Sequence, residues 1–186
     1  MERGIIVSIL LIIIFVFLGL ITSSISFIIL APIIFTPTNI ITDILKIMNI
    51  KEGDRILDLG SGDGRVLFEI QKENNINKLD IKLFGYEISP ILVLYSKIKQ
   101  AILFKRGITF DVLNIFELDF SEYNKIYCYL DAKSIKIIEN KINKTMENNV
   151  YMELYSYRFP LTNRKADKEY KLNNGEMLYY YNILTK

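Results

Sequence analysis

The 186-residue chain contains no histidine, no tryptophan and a single cysteine, Cys128. Without histidine there is neither an imidazole metal ligand nor a histidine general base, and one cysteine can form neither an internal disulfide nor a cysteine-based zinc site. No metal centre is therefore predicted, and any proton acceptor has to be a carboxylate, a tyrosine, a lysine, the backbone or water. Because Cys128 lies inside the apolar run 126–130, we expect it in the core.

The chain also lacks an excess of charge of either sign. It has 23 Lys and Arg residues against 21 Asp and Glu residues, which gives a formal net charge of +2. Basic residues that are scattered among acidic ones do not form the basic stripe typical of nucleic-acid-binding proteins. No nucleic-acid partner is therefore predicted, and the length fits one domain with an appendage.

Charged side chains are absent from residues 4–42, and residues 5–21 are almost wholly Ile, Leu, Val and Phe. Because about 20 apolar residues cross the hydrocarbon core of a bilayer, this run predicts a single N-terminal transmembrane helix. A cleaved signal peptide is the alternative. The flank before the run carries little positive charge and the run is long for a signal sequence, so a retained membrane anchor is favoured.

More positive charge follows the apolar segment, at Lys46, Lys51 and Arg55, than precedes it, where only Arg3 and the terminal amine stand. Because positively charged flanks stay on the cytoplasmic side of a membrane, the globular part is expected in the cytoplasm. We accordingly divide the chain into a transmembrane anchor with its linker, 1–35, and a second, globular domain, 36–186.

Residues 55–65 read Arg-Ile-Leu-Asp-Leu-Gly-Ser-Gly-Asp-Gly-Arg and join a short apolar strand to a glycine loop that opens a helix. This layout is typical of a nucleotide-type cofactor site, because glycines let the backbone turn tightly and approach a ligand. A dinucleotide-binding loop would have its third glycine where Arg65 stands, so a dinucleotide is disfavoured as the ligand. Asp58, at the end of the strand, would repel a pyrophosphate but could accept hydrogen bonds from a cationic amino-acid cofactor.

The motif resembles that of the class I S-adenosylmethionine-dependent methyltransferases, an acidic residue followed by alternating glycines. The resemblance implies S-adenosyl-L-methionine as the cofactor and a second acidic residue at the end of the next strand, where Glu87 stands. It also implies that the adenine lies beside Asn114 and Ile115, after the third strand, with Asp111 as the substitute for Asn114. The alternative for Asn114 is a turn former.

Short apolar runs typical of strands alternate along the rest of the chain with stretches whose apolar residues recur at helical spacing. This alternation predicts a parallel sheet covered by helices. A helix is expected from Arg65 to about Glu73, with 74–80 as a loop, and two final strands around Asn173-Asn174-Gly175 form an antiparallel hairpin. The expected fold class is α/β: a Rossmann-like class I methyltransferase fold whose seven-stranded, mostly parallel sheet ends in this hairpin and follows the transmembrane helix.

The whole chain is similar to a narrower family, the membrane-anchored lysine methyltransferases that in mitochondria modify the ATP synthase c subunit and the adenine nucleotide translocase, with their prokaryotic relatives. The landmarks are the N-terminal span, the segment 31–37, the motifs 58–65 and 85–90, and Ser-Tyr-Arg-Phe-Pro at 156–160. Ile33 and Phe35 depart from the family's Ala-Pro-aromatic-Val-Pro-Thr-Pro segment. The resemblance implies a protein lysine as the methyl acceptor, in a membrane-associated substrate.

Two sets of site residues follow from the motifs and the resemblance. The predicted cofactor-binding residues are Thr36, Asp58, Gly60, Ser61, Gly62, Asp63, Gly64, Glu87, Ile88, Asn114 and Ile115. Asp131, directly after the fourth strand, is the first candidate to orient or deprotonate a lysine nucleophile, and Tyr129, Thr36 and Tyr157 are secondary candidates. Asp131 as a helix cap and Tyr129 as a core residue are the alternatives.

Two other classes of function remain open at this point. A methyltransferase that acts on a small molecule or a lipid would use the same cofactor site. A non-catalytic, membrane-bound sensor of S-adenosylmethionine would also keep that site but would have a blocked acceptor side.

Overall fold

A computed structural model describes the backbone of residues 2–30, 34–103, 107–145 and 151–184. The helices of these ranges are α1 (Glu2–Leu30), α2 (Thr38–Met48), α3 (Arg65–Asn77), α4 (Pro90–Ile102) and α5 (Ala132–Thr145). The strands are β1 (Arg55–Leu59), β2 (Lys82–Glu87), β3 (Ile108–Val112), β4 (Lys125–Cys128), β5 (Tyr151–Tyr157), β6 (Lys168–Lys171) and β7 (Met177–Leu184).

The strands form one seven-stranded sheet in the order β3-β2-β1-β4-β5-β7-β6. Strands β1 to β5 pair with one another in parallel, and β7 runs antiparallel between β5 and β6. This confirms the predicted Rossmann-like sheet with its C-terminal hairpin. Because β1 lies between β2 and β4, the strand order reverses there, and the carboxyl edge at such a switch point is where open α/β sheets bind ligands.

Alternating side chains of the strands supply a separate apolar core on each face of the sheet. Ile56 of β1 packs with α2, α3 and α4 on one face, whereas Leu57 and Leu59 pack with α5 on the other. Cys128 lies in the second core, and burial raises the pKa of its thiol to about 12. The prediction of a core cysteine is confirmed by its complete burial, and a thiol with this pKa is protonated at neutral pH.

Helix α3 continues to Asn77, four residues beyond its predicted end, and ends where Lys78 takes a left-handed conformation with φ of 56°. The predicted end was wrong because residues 74–77 carry a single, exposed apolar side chain, Ile76, and so have no apolar stripe by which a helix can be recognised. The N–H of Lys78 donates to the carbonyl of Asn74 over 2.7 Å and closes the last turn.

Helix α1 exposes the apolar side chains that the structure describes, from Ile5 to Leu20, and Phe15 is 81% exposed. Within the described parts of the chain, no helix is both long and apolar enough to cross a membrane. The predicted transmembrane span is therefore not confirmed. Residues 31–33, which belong to the predicted anchor and linker of residues 1–35, lie outside the described residues.

Candidate active site

The glycine loop between β1 and α3 is held against the end of β2. The backbone N–H groups of Gly60 and Ser61 both donate to the carbonyl of Tyr86, at 2.9 and 3.0 Å. Gly64 has φ of +74°, and a Cβ there would lie 2.6 Å from the ring of Phe110. Only glycine fits this position, so the sequence pattern reflects both backbone conformation and close packing.

Glu87 ends β2 beside the loop, as predicted. Its Oε2 accepts a hydrogen bond from the backbone N–H of Gly62 at 3.1 Å, and its Oε1 accepts one from the N–H of Ser89 at 3.0 Å. The carboxylate is therefore fixed at the carboxyl edge of the sheet, and the lone pairs that these amides leave free can accept ligand hydroxyl groups.

Asp58 is buried at the end of β1, with 3% of its surface exposed. Burial raises the pKa of this carboxyl group to about 8, and the nearby negative charges of Glu87 and Asp63 add to the effect. Asp58 is therefore largely protonated at neutral pH in the protein alone. A cationic ligand would favour its ionised form and would be held by the resulting charge.

Asp63 and Arg65 form a two-pronged ion pair at the start of α3. The guanidinium Nε and Nη2 donate to the two carboxylate oxygens over 2.8 and 2.9 Å. Burial alone would raise the pKa of Asp63, but the hydrogen bonds and charge of Arg65 hold it below its usual value. The pair fixes the guanidinium in the direction of residues 34–37.

Residues 34–37, which we call the strap, cross the mouth of the glycine loop. The Thr36 hydroxyl lies 2.7 Å from the hydroxyl of Tyr127 in β4, and the Thr36 carbonyl accepts a hydrogen bond from Nη1 of Arg65 at 3.2 Å. The Arg65 guanidinium also lies 4.6 Å from the centre of the Phe35 ring. A Cβ on Gly62 would lie 3.0 Å from that ring, so the strap rests directly on the loop.

The strap, the glycine loop and the end of β4 line a common small cleft. Its lining residues are Ile34, Phe35, Thr36, Asp58, Gly60, Ser61, Gly62, Asp63, Arg65, Val66, Tyr127 and Tyr129. The buried hydroxyl of Ser61 has no hydrogen-bond partner among the described residues. A buried hydroxyl without a partner is costly, so this group is ready to bind a ligand in the cleft.

Tyr129 lines the cleft and lies within a group of aromatic residues. Its hydroxyl accepts a hydrogen bond from Nη1 of Arg158 at 3.0 Å, and its ring meets the edge of Tyr157 and stacks on Phe159. Arg158 has a left-handed backbone with φ of 67°, which costs energy for a residue with a side chain. The strained residue thus directs its guanidinium towards Tyr129.

Asp131 lies at the start of α5, outside the lining of the cleft. One carboxylate oxygen accepts from the backbone N–H groups of Lys133 and Ser134 at 2.9 and 3.1 Å, and the other accepts from the Ser134 hydroxyl at 2.8 Å. Burial would raise its pKa, but these hydrogen bonds lower it below the usual value. This is the capping geometry named as the alternative, and the catalytic role of Asp131 stays a prediction.

The remaining predicted cofactor residues lie along the same edge but outside the cleft. Asn114 follows β3 and forms a turn, accepting from the N–H of Phe116 at 3.2 Å and donating to Glu117 at 2.8 Å. Ile115 is buried in the second core, and Ile88 is 36% exposed. Their contacts with an adenine stay predictions.

Sequence reasoning missed Phe35, Arg65 and Tyr127 as cleft residues. In the sequence Arg65 stands out only as a departure from a glycine pattern, although its spacing from Asp63 allows the ion pair that the structure shows. Tyr127 gave no local signal, because its role depends on contact with Thr36, which is 91 positions away in the chain.

The fold and the cleft together define a class I methyltransferase. A parallel sheet with a C-terminal hairpin, a glycine loop at its switch point and acidic residues at the ends of β1 and β2 form the site of this class. A model of the ANTKMT methyltransferase domain family matches residues 58–168, more than half of the chain. The chain belongs to this family of methyltransferases.

Individual relatives agree with this assignment. The chain is 26% identical over 161 residues to a protein-lysine N-methyltransferase of Saccharolobus islandicus, covering 82% of this chain and 93% of that protein. It is 23% identical to the human lysine N-methyltransferase of the ATP synthase c subunit, covering 69% of this chain but only 53% of the human protein. The chain therefore spans about half the length of that relative.

A solved structure shows the same fold. The crystal structure of an RNA methyltransferase from Salinibacter ruber, in complex with S-adenosyl-L-homocysteine, superposes with a TM-score of 0.68 at 23% identity. The match covers 82% of this chain and 95% of that one.

The methyl donor of this enzyme is S-adenosylmethionine, and the cleft residues fit it. The buried Ser61 hydroxyl lacks a partner among the described residues, and Asp58 gains its charge most readily beside a cation. Glu87 would hold the ribose hydroxyls. Across the described ranges, no cluster of three or more His, Cys, Asp or Glu side chains could hold a metal ion.

Proposed function

We propose that this chain is a protein-lysine N-methyltransferase. The observation that carries the proposal is the match to the S. islandicus protein-lysine N-methyltransferase, which extends over 93% of that protein. The cleft supports it, because Phe35 of the strap, Tyr127 and Tyr129 place aromatic rings along its walls beside the cofactor loop. Such walls suit the linear alkyl chain of a lysine better than a bulky acceptor.

When bound, S-adenosylmethionine supplies an electrophilic methyl group on a positively charged sulfur. The chain's own residues have to place a neutral amine in line with that group and keep water out. Tyr129 is the residue best placed to hold the amine. Arg158 already donates to its hydroxyl oxygen, and a second lone pair on this oxygen can accept an N–H of the lysine.

The strap keeps water away from the reacting atoms. Phe35 lies over Gly62, and Thr36 joins the buried hydroxyl of Tyr127. A dry cleft also favours loss of the lysine proton, because burial beside a cationic sulfur disfavours the ammonium form. Positioning and removal of water would therefore supply most of the rate increase.

Helix α1 is the basis for the membrane part of the proposal. Its apolar side chains from Ile5 to Leu20 are exposed to a degree that a soluble domain rarely shows. We infer that a membrane covers them and that the enzyme acts on a membrane-associated protein. Since Lys46, Lys51 and Arg55 follow the helix, the methyltransferase domain would face the cytoplasm.

A labelling experiment tests the function. The full chain is incubated with S-adenosylmethionine that carries a deuterated methyl group and with membranes from cells that lack the enzyme. Mass spectrometry should locate the label on lysine side-chain nitrogens of membrane proteins. Label found only in lipid or in a small metabolite would contradict the lysine assignment, and formation of no labelled product would contradict catalysis.

Flotation with phospholipid vesicles tests the membrane attachment. The wild type should float with vesicles at high salt, because apolar burial is not screened by ions. A variant with Ile9→Lys and Ile13→Lys should stay in the dense fraction while still binding S-adenosylmethionine. Equal flotation of the variant, or no flotation of the wild type, would show that α1 does not attach the chain.

A further inference from the structure

Helix α4 has an apolar face that points away from the protein. Ile91, Leu94, Tyr95, Ile98 and Ile102 recur at helical spacing and are between 37 and 68% exposed. A surface helix of a soluble domain normally exposes polar residues on this side and buries the apolar ones. The pattern of α4 therefore indicates that something covers its outer face.

The inner side of α4 packs and forms its hydrogen bonds against the domain without using this apolar face. Val93 and Ser96 are its buried residues, and the Ser96 hydroxyl donates to the carbonyl of Gly62 at 3.3 Å. Gln100 donates to the carbonyl of Ile108 at 2.8 Å. The helix is thus anchored to the sheet and the glycine loop through its inner side, and its outer apolar side chains take no part in these contacts.

The apolar surface continues to the cofactor edge of the sheet. Ile88, directly after Glu87, is 36% exposed, and Val112 at the end of β3 is 46% exposed. Val112 is paired with Glu87 in the sheet register. The surface of α4, Ile88 and Val112, which we call the α4 face, therefore ends beside the carboxylate that would hold the ribose.

Two neighbours of the α4 face indicate what covers it. Helix α1 lies against α4, and the chain that leaves α1 leads to the strap of the cleft. Two lysines flank the face: Lys97, half exposed, lies 3.6 Å from the carboxylate of Asp111, and the amine of Lys99 lies 4.8 Å from the Phe68 ring centre and 5.9 Å from that of Tyr95. Lysines that flank an apolar helix face are typical of helices at the surface of a phospholipid bilayer.

We propose that the α4 face rests on the surface of a phospholipid bilayer, next to the site where α1 enters it. This inference rests on the proposed attachment through α1 and adds a second, interfacial contact. The contact fixes the orientation of the domain. A domain held by α1 alone could rotate about that tether, whereas contact through both α1 and the α4 face prevents this rotation. The cofactor edge then faces the membrane surface, and only lysines close to that surface reach the cleft.

Fluorescence tests this contact, because the chain has no tryptophan. Tyr95→Trp places a single indole on the α4 face, and Ile98→Trp is a second reporter there. Ile137→Trp is the matched control on α5, since Ile137 is 40% exposed on the opposite side of the sheet. Each full-length variant is reconstituted into phosphatidylcholine and phosphatidylglycerol vesicles, with and without brominated acyl chains, after its fold has been checked by circular dichroism and cofactor binding.

Both α4 reporters should emit at shorter wavelength in vesicles and lose intensity with brominated lipid, whereas the α5 control should do neither. Vesicle-bound protein whose α4 reporters are not quenched would overturn the inference and leave the attachment through α1 intact. Quenching of all three reporters would also overturn it. A short-wavelength emission in detergent that grows with protein concentration would assign the face to a second copy of the chain. Label in lipid instead of lysine would change the proposed function without altering the quenching.

Discussion

The hydroxyl groups of Thr36 and Tyr127 lie 2.7 Å apart, and both side chains are buried. This contact joins a segment just after the N-terminal helix to the central strand β4. Together with the hydrogen bond from Arg65 to the Thr36 carbonyl, it holds the strap as one wall of the cleft. The proposed attachment of α1 and the occupation of the cofactor site would therefore be linked through this segment.

Removing this contact should weaken cofactor binding without unfolding the domain. We expect Thr36→Val and Tyr127→Phe each to lower affinity for S-adenosylmethionine by about 0.5–1.5 kcal/mol, the net value of a typical hydrogen bond. The double variant should lose little more than either single one, because both remove the same interaction. Calorimetric titration measures the effect. Tyr157→Phe is the control, since its hydroxyl bonds Asn174 of the hairpin turn at 2.8 Å.

The raised pKa of Asp58 makes cofactor binding depend on pH. Affinity for S-adenosylmethionine should rise as the pH approaches about 8, and binding at neutral pH should release a proton from Asp58. Titrations in buffers of different ionisation enthalpy count the protons. Asp58→Asn should bind S-adenosylmethionine more weakly and should no longer release the proton that comes from Asp58. Any proton release that remains in this variant comes from the ligand itself. Identical proton release in both proteins would show that Asp58 does not titrate on binding.

Asp58 should also destabilise the cofactor-free protein as the pH rises. Its pKa is about 8 when folded, against an ordinary value of 3.8. Between these values the unfolded chain loses its proton and the folded chain keeps it, so the free energy of unfolding falls with increasing pH and levels off above about 8. Urea unfolding should show that Asp58→Asn has a higher free energy of unfolding than the wild type, by a difference that grows from pH 4 to pH 8. A constant difference would contradict the raised pKa.

Glu87 should contribute to affinity through its charge. We expect Glu87→Gln to weaken S-adenosylmethionine binding by about 1–3 kcal/mol, the range for hydrogen bonds to a charged group. Glu169→Gln on the exposed strand β6 is the matched control and should bind like the wild type. Equal affinity of all three proteins would remove Glu87 from the cofactor site.

Variants at position 131 distinguish a helix-capping role of Asp131 from a catalytic one. Asn caps helices about as well as Asp, so Asp131→Asn should keep both stability and turnover, whereas Asp131→Ala should lose about 1 kcal/mol of stability. Tyr129→Phe should reduce turnover roughly tenfold or more with cofactor affinity unchanged, because it removes a group that orients the amine. Thermal unfolding and single-turnover methylation measure the two effects. A hundredfold loss of turnover in Asp131→Asn would instead establish the catalytic role predicted from the sequence.

The sequence was sufficient to predict features carried by local patterns. The strand before Asp58, the glycine loop and the position of Glu87 each follow from residues that are neighbours in the chain, and the structure confirms their arrangement. The strap contact could not be predicted, since Thr36 and Tyr127 meet only when β4 enters the centre of the sheet. The cap at Asp131 and the ion pair of Arg65 are local, but the same residues also fit other roles, and only the geometry distinguishes them.

Lysine methylation measured against cofactor concentration tests the central claim most directly. The full chain and Asp58→Asn are compared with deuterated S-adenosylmethionine and membrane proteins, and labelled lysine is counted by mass spectrometry. The wild type should label lysine with a saturating dependence on cofactor, and the variant should need about tenfold or more cofactor for half the maximal rate, as a loss of 1.4 kcal/mol or more implies. Wild-type protein that binds S-adenosylmethionine but labels no lysine at any concentration would contradict the account.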